Sequence, residues 1–533
     1  MTNTRRDFLK KMATGGLFVT AAPTFAKGKI NAEELIPEFP PQVVKIPRKL
    51  NVLWITCDEM NTKAMSVYGN PLTTMPGAEQ MAREGTVFNH AYVQMPKSVP
   101  SRVIMVTGRY AHPEGHRTLT GRKYYIPAKD VKKNNDFTLR ANEPNIVKMM
   151  KDNGYKTCLL GKNHLVDWNL HKKWFDMTSK WDSPEWKNRP DAFDKTDDPD
   201  LRKMYLIGKT KEDLDYNTLP DSLCVSWTKE FLNKYKDEPF FALVDIGKPH
   251  PPYVEYTQMP AYKIPLDQIP APKVQPLEKV PSVEQCKRKS FDLEHVTDLD
   301  RKRIRRAYYS SVEFADSKVK EIIDEVDRLG LKDNTLVIYS ADHGDSNGER
   351  NCYEKWDTFF YDEITKVPLI MRLPGIMPAG KKIENLVEFV DIVPTIFEMM
   401  GVDVPVWVQG KSMLPLIEGK TTEHKDAVFS QGGVEKDATL RPNMDIMSPK
   451  QQVVKDFPES MIRSKMIRTD RYKFVYRLEG DNELYDMRKD PDELTNLAYD
   501  PDYKDIINEL MARMLKFTIE METNYPIIDK LVC

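Results

Sequence analysis

Asn51-Val52-Leu53-Trp54-Ile55-Thr56, followed by Asp58-Glu59, is an apolar, β-rich run that ends abruptly in two carboxylates. Three further runs share this shape. Lys156-Thr157-Cys158-Leu159-Leu160 leads into Gly161-Lys162-Asn163-His164, Phe240 to Ile246 leads into Pro249-His250-Pro251, and Thr335 to Ser340 leads into Asp342-His343-Gly344-Asp345. Such runs alternate with longer helical patterns, which predicts an α/β fold: a large, mostly parallel central sheet flanked by helices on both faces. In an open α/β sheet, ligands bind just outside the carboxyl ends of the strands, so the four polar endings are expected at one pocket. Taken singly, each ending also fits a solvated turn, a helix cap or a structural histidine. Taken together, four such turns at one sheet edge point to chemistry.

The residue types define that chemistry. Asp58, Glu59, Asp342 and His343 offer hard carboxylate oxygens plus one imidazole, a set that suits calcium or magnesium better than zinc. Lys162, His164, His250 and Arg102 supply positive charge and proton donors, so the pocket reads as an oxyanion site. Ser98-Val99-Pro100-Ser101-Arg102 precedes the apolar run Val103 to Thr107, which Gly108 closes. Pro100 suits a first helical turn, and the free N–H groups there favour an anion beside Ser98. The same five residues also fit a plain helix cap.

Composition narrows the class. The 533 residues are 40% hydrophobic, enough for a large core, and 79 Lys plus Arg nearly cancel 80 Asp plus Glu. No global field exists for nucleic acid, so no nucleic-acid partner is expected, and no apolar stretch approaches a transmembrane segment. The six cysteines are scattered without metal or redox spacing. Thr4-Arg5-Arg6-Asp7-Phe8-Leu9-Lys10, the apolar Met12 to Val19 and the small residues up to Ala26 resemble a bacterial twin-arginine export signal. A periplasmic or otherwise exported protein is the expectation, with export machinery as a partner.

The ordered motifs resemble the formylglycine-dependent sulfatases of the alkaline-phosphatase superfamily. The resemblance is carried by Asn51 to Glu59, Glu84 to Tyr92, Ser98 to Gly108, Gly154 to Thr157, Gly161 to His164, Pro239 to Pro251 and Asp333 to Gly344. It continues through Val367 to Ile370, Asp391 to Thr395, Arg468 to Lys473 and Glu483 to Asp486. It implies that Ser98, in the pattern Cys/Ser-x-Pro-Ser-Arg, is oxidised to formylglycine by a radical maturation enzyme in the cytoplasm. The hydrated aldehyde would be the nucleophile. Asp58, Glu59, Asp342 and His343 fall on the ligands of one calcium ion, with Asp342 also placed to help deprotonate the diol. Arg102 and Lys162 would hold the diol, and His164 would take the proton when sulfate leaves. His250 and Lys355 resemble the pair that binds sulfate and protonates the departing alcohol. The chain departs from the family at Glu59 and His343, where Asp or Asn is common. It departs again at Lys355, which lies further from Tyr361-Asp362-Glu363 than the family lysine does.

The expected organisation is a signal peptide over 1–26, a linker over 27–48, a catalytic domain over 49–400 and a C-terminal α+β subdomain over 401–533. In the last, Lys465 to Arg468 and Tyr472 to Tyr476 read as a hairpin of a short antiparallel sheet, and a helix follows from about 502 to 522. The proline-rich stretch from Pro249 to Pro281 reads as loop. His116 and Arg117 are candidate substrate contacts, with a structural loop as the competing reading. The function the resemblance implies is hydrolysis of a sulfate ester, with a carbohydrate as substrate by analogy. Two alternatives remain: a phosphatase or phosphonate hydrolase using Ser98 directly, and a non-catalytic binder of sulfated glycans. Against the first, the chain lacks the extra Asp and His ligands of a two-metal site.

Overall fold

The structure, a computed structural model, describes residues 42–110, 139, 143–166, 168–187, 193–195, 207–210, 214–290, 293–433 and 457–521. Its strands in chain order are β1 (Asn51–Cys57), β2 (Thr86–Tyr92), β3 (Lys156–Gly161), β4 (Met177–Thr178), β5 (Phe193–Lys195), β6 (Ile207–Thr210), β7 (Phe240–Ile246) and β8 (Tyr253–Glu255). There follow β9 (Thr335–Ala341), β10 (Lys366–Val367), β11 (Leu369–Arg372), β12 (Lys381–Glu388), β13 (Ala427–Gly432), β14 (Ser464–Thr469), β15 (Tyr472–Arg477) and β16 (Glu483–Asp486). Nine of them form the main sheet, in the order β10-β2-β11-β9-β1-β7-β3-β4, with β12 also on β2. The four runs singled out in the sequence are the contiguous strands β9, β1, β7 and β3, all parallel. Every residue of β1, β7 and β9 is buried, which is why these strands read as unbroken apolar runs. Only the β11 pairings with β9 and β2 and the β10 pairing with β2 are antiparallel in this sheet.

Helices cover the sheet. The longest, Asp298–Arg328, starts at a capping box between Thr297 and Asp300. Its Asp316 accepts from the N–H groups of Gly77 and Ala78 at 2.8 Å each, and so caps the helix Pro76–Glu84, whose own N-cap Met75 has no side-chain acceptor. Two serines of the long helix also reach a neighbouring strand: Ser311 Oγ accepts from Val254 N–H (2.7 Å) and Ser310 Oγ from Tyr256 N–H (2.8 Å). These bonds place β8 inside the stretch expected to be loop, where it pairs with β6 in a small sheet β5-β6-β8. Tertiary partners, not local pattern, make that strand.

The C-terminal sheet β13-β14-β15-β16 is antiparallel, and the helix Lys504–Met521 packs on it through Leu510 and Met514. Lys473 of β15 is fully buried. It donates to Phe360 O (3.0 Å) and pairs with Asp362 and Glu493 at 2.6 Å each, tying this sheet to the main body. Cys57, Cys158, Cys224, Cys286 and Cys352 are free and buried. No helix among the described residues is long and apolar enough to cross a membrane. The signal-like segment 1–26 lies outside the described residues, as does most of 27–48.

Gly161 closes β3 at φ +86°, and a Cβ there would stand 1.8 Å from Asp245 O of β7. Gly161→Ala should therefore cost at least about 2 kcal/mol, since both the backbone conformation and the strand approach are lost. Urea denaturation checks this; a loss below about 0.5 kcal/mol would contradict the packing.

Candidate active site

Cys57 pairs with Ala341, so Asp58-Glu59 and Asp342-His343 leave β1 and β9 side by side. All four residues are wholly buried. Glu59 has a φ of 67°, a conformation that costs about 1–3 kcal/mol in a non-glycine residue. It is held there by Tyr308, whose hydroxyl donates to Glu59 O (2.6 Å) and accepts from Asn61 N–H (2.9 Å). Asp342 Oδ1 accepts from the backbone N–H of Glu59 (3.2 Å) and of His343 (3.0 Å).

Asp58, Glu59 and His343 each place a ligand atom within 4.8 Å of the other two. Asp58 Oδ1 and Glu59 Oε2 are buried and accept no hydrogen bond among the described residues. His343 Nδ1 lies 2.9 Å from Gly344 O, which assigns the proton to Nδ1 and leaves Nε2 with its lone pair. Two orphaned carboxylate oxygens and an imidazole nitrogen are a donor set that fits a divalent cation. Asp342 sits beside this group, but its oxygens are engaged, Oδ1 by backbone and Oδ2 by Arg102. The structure thus gathers three of the four expected ligands directly and the fourth at their margin.

Ser98 is the first residue of the helix Ser98–Thr107, all of it buried. Gly108 ends the helix at φ 61°, its N–H on Ile104 O. Ser98 Oγ lies 3.0 Å from His343 Nε2, and Ser101 Oγ donates to Asp342 O at 2.5 Å. One turn on, the guanidinium of Arg102 is only 1% exposed and forks among three carboxylates. Its Nη2 is 3.0 Å from Asp342 Oδ2 and 3.4 Å from Asp58 Oδ2, and its Nη1 abuts Asp245. Burial opposes the charge on Arg102, but Asp245, Asp342 and Asp58 outweigh it and hold the group protonated.

Asp245 is not among the sequence candidates. The signal is visible, since it is the one charged residue in the otherwise apolar Phe240 to Ile246. Burial pushes its carboxyl up to about 7 against the pull of Arg102, with Asp342 and Asp58 adding to the rise.

Lysines and histidines close the ring. Lys162 Nζ is 2.5 Å from Asp58 Oδ2. Burial alone would raise the Asp58 carboxyl, but Lys162, His250, Arg102 and Lys355 hold it well below the carboxylate range. His164 is held down to about 3 by burial, with Lys162 and Arg102 adding to it, so its imidazole is neutral. His250 Nδ1 is 2.8 Å from Pro251 O and its Nε2 is 3.4 Å from Glu59 Oε1. Burial lowers its ordinary value too, while Asp58 pulls the other way. Lys355 is buried with its ammonium against the Glu59 carboxylate. In the loop before it, Asn347, Arg350, Asn351 and Glu354 all take left-handed φ values. Arg305 pins that loop through Asn347 O and Glu349, and Asn351 binds Leu293 O. His116 and Arg117 lie outside the described residues.

Comparison with known proteins identifies the class. A family model described as Sulfatase matches residues 50–402, and a second, described as N-sulphoglucosamine sulphohydrolase, C-terminal, matches residues 455–520. The chain belongs to the sulfatase family and is a sulfuric ester hydrolase. It is 26% identical over 502 residues to an ulvan-active sulfatase of Formosa agariphila, covering 89% of this chain and 80% of that one. It is 25% identical over 494 residues to a Δ4,5-hexuronate-2-O-sulfatase of Bacteroides thetaiotaomicron, covering 90% of each. Among solved structures, the phosphonate monoester hydrolase of Agrobacterium radiobacter superposes with a TM-score of 0.67 at 21% identity, over 89% of this chain and 96% of that one. That likeness shows the shared alkaline-phosphatase-like fold.

Removing Arg102 would strand Asp58, Asp245 and Asp342 in the interior. Arg102→Met should lose about 3–5 kcal/mol in urea denaturation, and Asp245→Asn on that background should recover part of it. A single-variant loss under about 1 kcal/mol would contradict the charge balance described here.

Proposed function

We propose that the chain removes a sulfate ester from a sulfated saccharide, using a formylglycine made from Ser98 and one calcium ion. The observation that carries this is the burial of Ser98 Oγ within 3.0 Å of His343, beside orphaned carboxylate oxygens and ringed by Arg102, Lys162, His250 and Lys355. The sulfated-glycan substrates named for two relatives support the saccharide. Asp58, Glu59, His343 and Asp342 would hold the cation, for which three carboxylates favour calcium. When bound, it offsets charge on the transferring sulfuryl group.

The side chains then divide the proton work. Ser98 Oγ marks where the hydroxyls of the hydrated aldehyde sit. Asp342 accepts the proton of the attacking hydroxyl as its oxygen bonds to sulfur. The bond from sulfur to the alcohol oxygen breaks, and that oxygen takes a proton from His250 or Lys355. The second hydroxyl then gives its proton to His164, the bond from carbon to the sulfate oxygen breaks, and sulfate leaves as the aldehyde re-forms. His116 and Arg117 are proposed substrate contacts. On this reading residues 1–26 direct export to the periplasm, 27–48 link, 49–400 form the catalytic domain and 401–533 form the subdomain that walls the pocket.

Three outcomes are expected. Protein made with a radical maturation enzyme should release sulfate from members of a panel of sulfated mono- and disaccharides, and Ser98→Ala should be inactive. Cleavage of phosphate or phosphonate esters by unmodified protein, without sulfate release, would replace this reading. Calcium at about 100 times its Kd should add about 2.7 kcal/mol to the stability of chelator-treated protein. Asp58→Asn and Glu59→Gln should lose that increment, as calorimetric melting would show. Finally, a base held down to about 3 stays unprotonated through neutral pH and gains a proton only as pH falls toward that value. His164→Gln should thus lower kcat by about 10²–10⁴ without moving an acid limb near pH 6.5. If such a limb disappears in this variant, His164 is not the low-pKa base described.

A further inference from the structure

A cavity of about 410 Å³ opens on the β10, β2 and β12 side of the main sheet and shares no residue with the candidate active site. Strands β11 and β9 separate β2 from β1, whose end carries Asp58. Its charged lining is three lysines, Lys63, Lys366 and Lys382, against one carboxylate, Glu384, with Asn89 and His90 of β2 between them.

The lysines are not equally satisfied. Lys63 is shared by Asp492 at 3.2 Å and Glu363 at 3.8 Å. Lys366, at the start of β10, is half-buried yet makes no side-chain hydrogen bond or ion pair with any described residue. Burial lowers its pKa below the ordinary lysine value, and Lys63, Arg468 and Lys473 crowd it with like charge. The carboxylate that acts on it most, Asp362, is already taken by Lys473 at 2.6 Å and by the Tyr92 hydroxyl at 3.1 Å. Lys382 is exposed and pairs with no described residue. His90 has a buried Nδ1 without a hydrogen-bond partner, and its Nε2 lies 3.7 Å from Glu384 Oε2. A half-buried ammonium whose nearest carboxylate is already engaged is poorly compensated, and the group that would complete it is an anion entering from the cavity.

We propose that this cavity is a second anion-binding site, which takes a sulfated or uronic sugar unit of the glycan apart from the unit whose ester is cleaved. The volume is that of a pocket for a small organic ligand, larger than a bare oxyanion needs, and Asn89 and His90 supply neutral hydrogen-bonding groups beside the ammoniums. The sugar part rests on the saccharide reading given above; the anion site itself does not.

Two measurements on the full chain test it. Crystals soaked in selenate should show an anomalous selenium peak within hydrogen-bond reach of Lys366 Nζ. Lys366→Met with Lys382→Met should abolish it and leave selenate bound at the Lys162 and His250 cluster. On the Ser98→Ala background, a heparin-derived tetrasaccharide, sulfated and uronic at once, should bind the double variant at least tenfold more weakly by calorimetry. If the Lys366→Met substitution prevents folding, Lys382→Met alone should weaken binding about threefold. No selenate in the cavity while the catalytic cluster holds it would overturn the site. A selenate peak with unchanged tetrasaccharide affinity would overturn the sugar assignment in favour of a free oxyanion. Failure of every sulfated sugar to be hydrolysed, with tetrasaccharide binding still dependent on Lys366 and Lys382, would overturn the proposed function and leave this site standing.

Discussion

The buried guanidinium of Arg102 is the interaction on which the site depends. Three strands, β1, β7 and β9, deliver a carboxylate each to nearly the same place, and in a low-dielectric interior three such charges repel by several kcal/mol. Arg102 answers all three with one planar fork, from a helix whose first residue is Ser98. The helix that begins at Ser98 and the acids at the ends of β1, β7 and β9 are therefore held to each other by this side chain. A lysine could not replace it, because a point charge cannot face three acceptors in fixed directions.

Around that centre, strain and desolvation are concentrated where chemistry is expected. Glu59 is held in a left-handed conformation by Tyr308, and four non-glycine residues of the loop 347–354 share that conformation. Within it only a single 3-10 turn, Glu349–Asn351, is regular, and Arg350 inside that turn is itself left-handed. It is over-determined from outside by Arg305 and Leu293, and its product is a lysine brought against Glu59. Residues held this way cluster at functional sites because only a well-packed surround can offset their strain.

Much of this was legible in the sequence, for identifiable reasons. Strands buried on both faces leave unbroken apolar runs, so β1, β3, β7 and β9 could be read directly, and the residues after these runs are ones the fold brings side by side. The hairpin β14–β15 and the terminal helix were equally plain from alternation and periodicity. What escaped depended on contacts between distant segments. β8 exists because Ser310 and Ser311 of a helix bind its backbone, and nothing local announces it. Asp245 was hidden in an apolar run, where a single charged residue means a buried partner that only the fold reveals. The placement of Lys355 turned on backbone angles that favour glycine or asparagine and here fall partly on Arg350 and Glu354. Likewise the antiparallel insertion of β11 between β9 and β2 follows from pairing, not from pattern.

The central claim is that Ser98 is the precursor of the nucleophile and is converted before the enzyme works. Mass spectrometry of the Ser98 peptide, from active protein produced with the maturation enzyme, tests it most directly. The account predicts a peptide lighter by two hydrogens, or its hydrate, in proportion to sulfate-releasing activity. Full activity from protein whose Ser98 is wholly unmodified would contradict it.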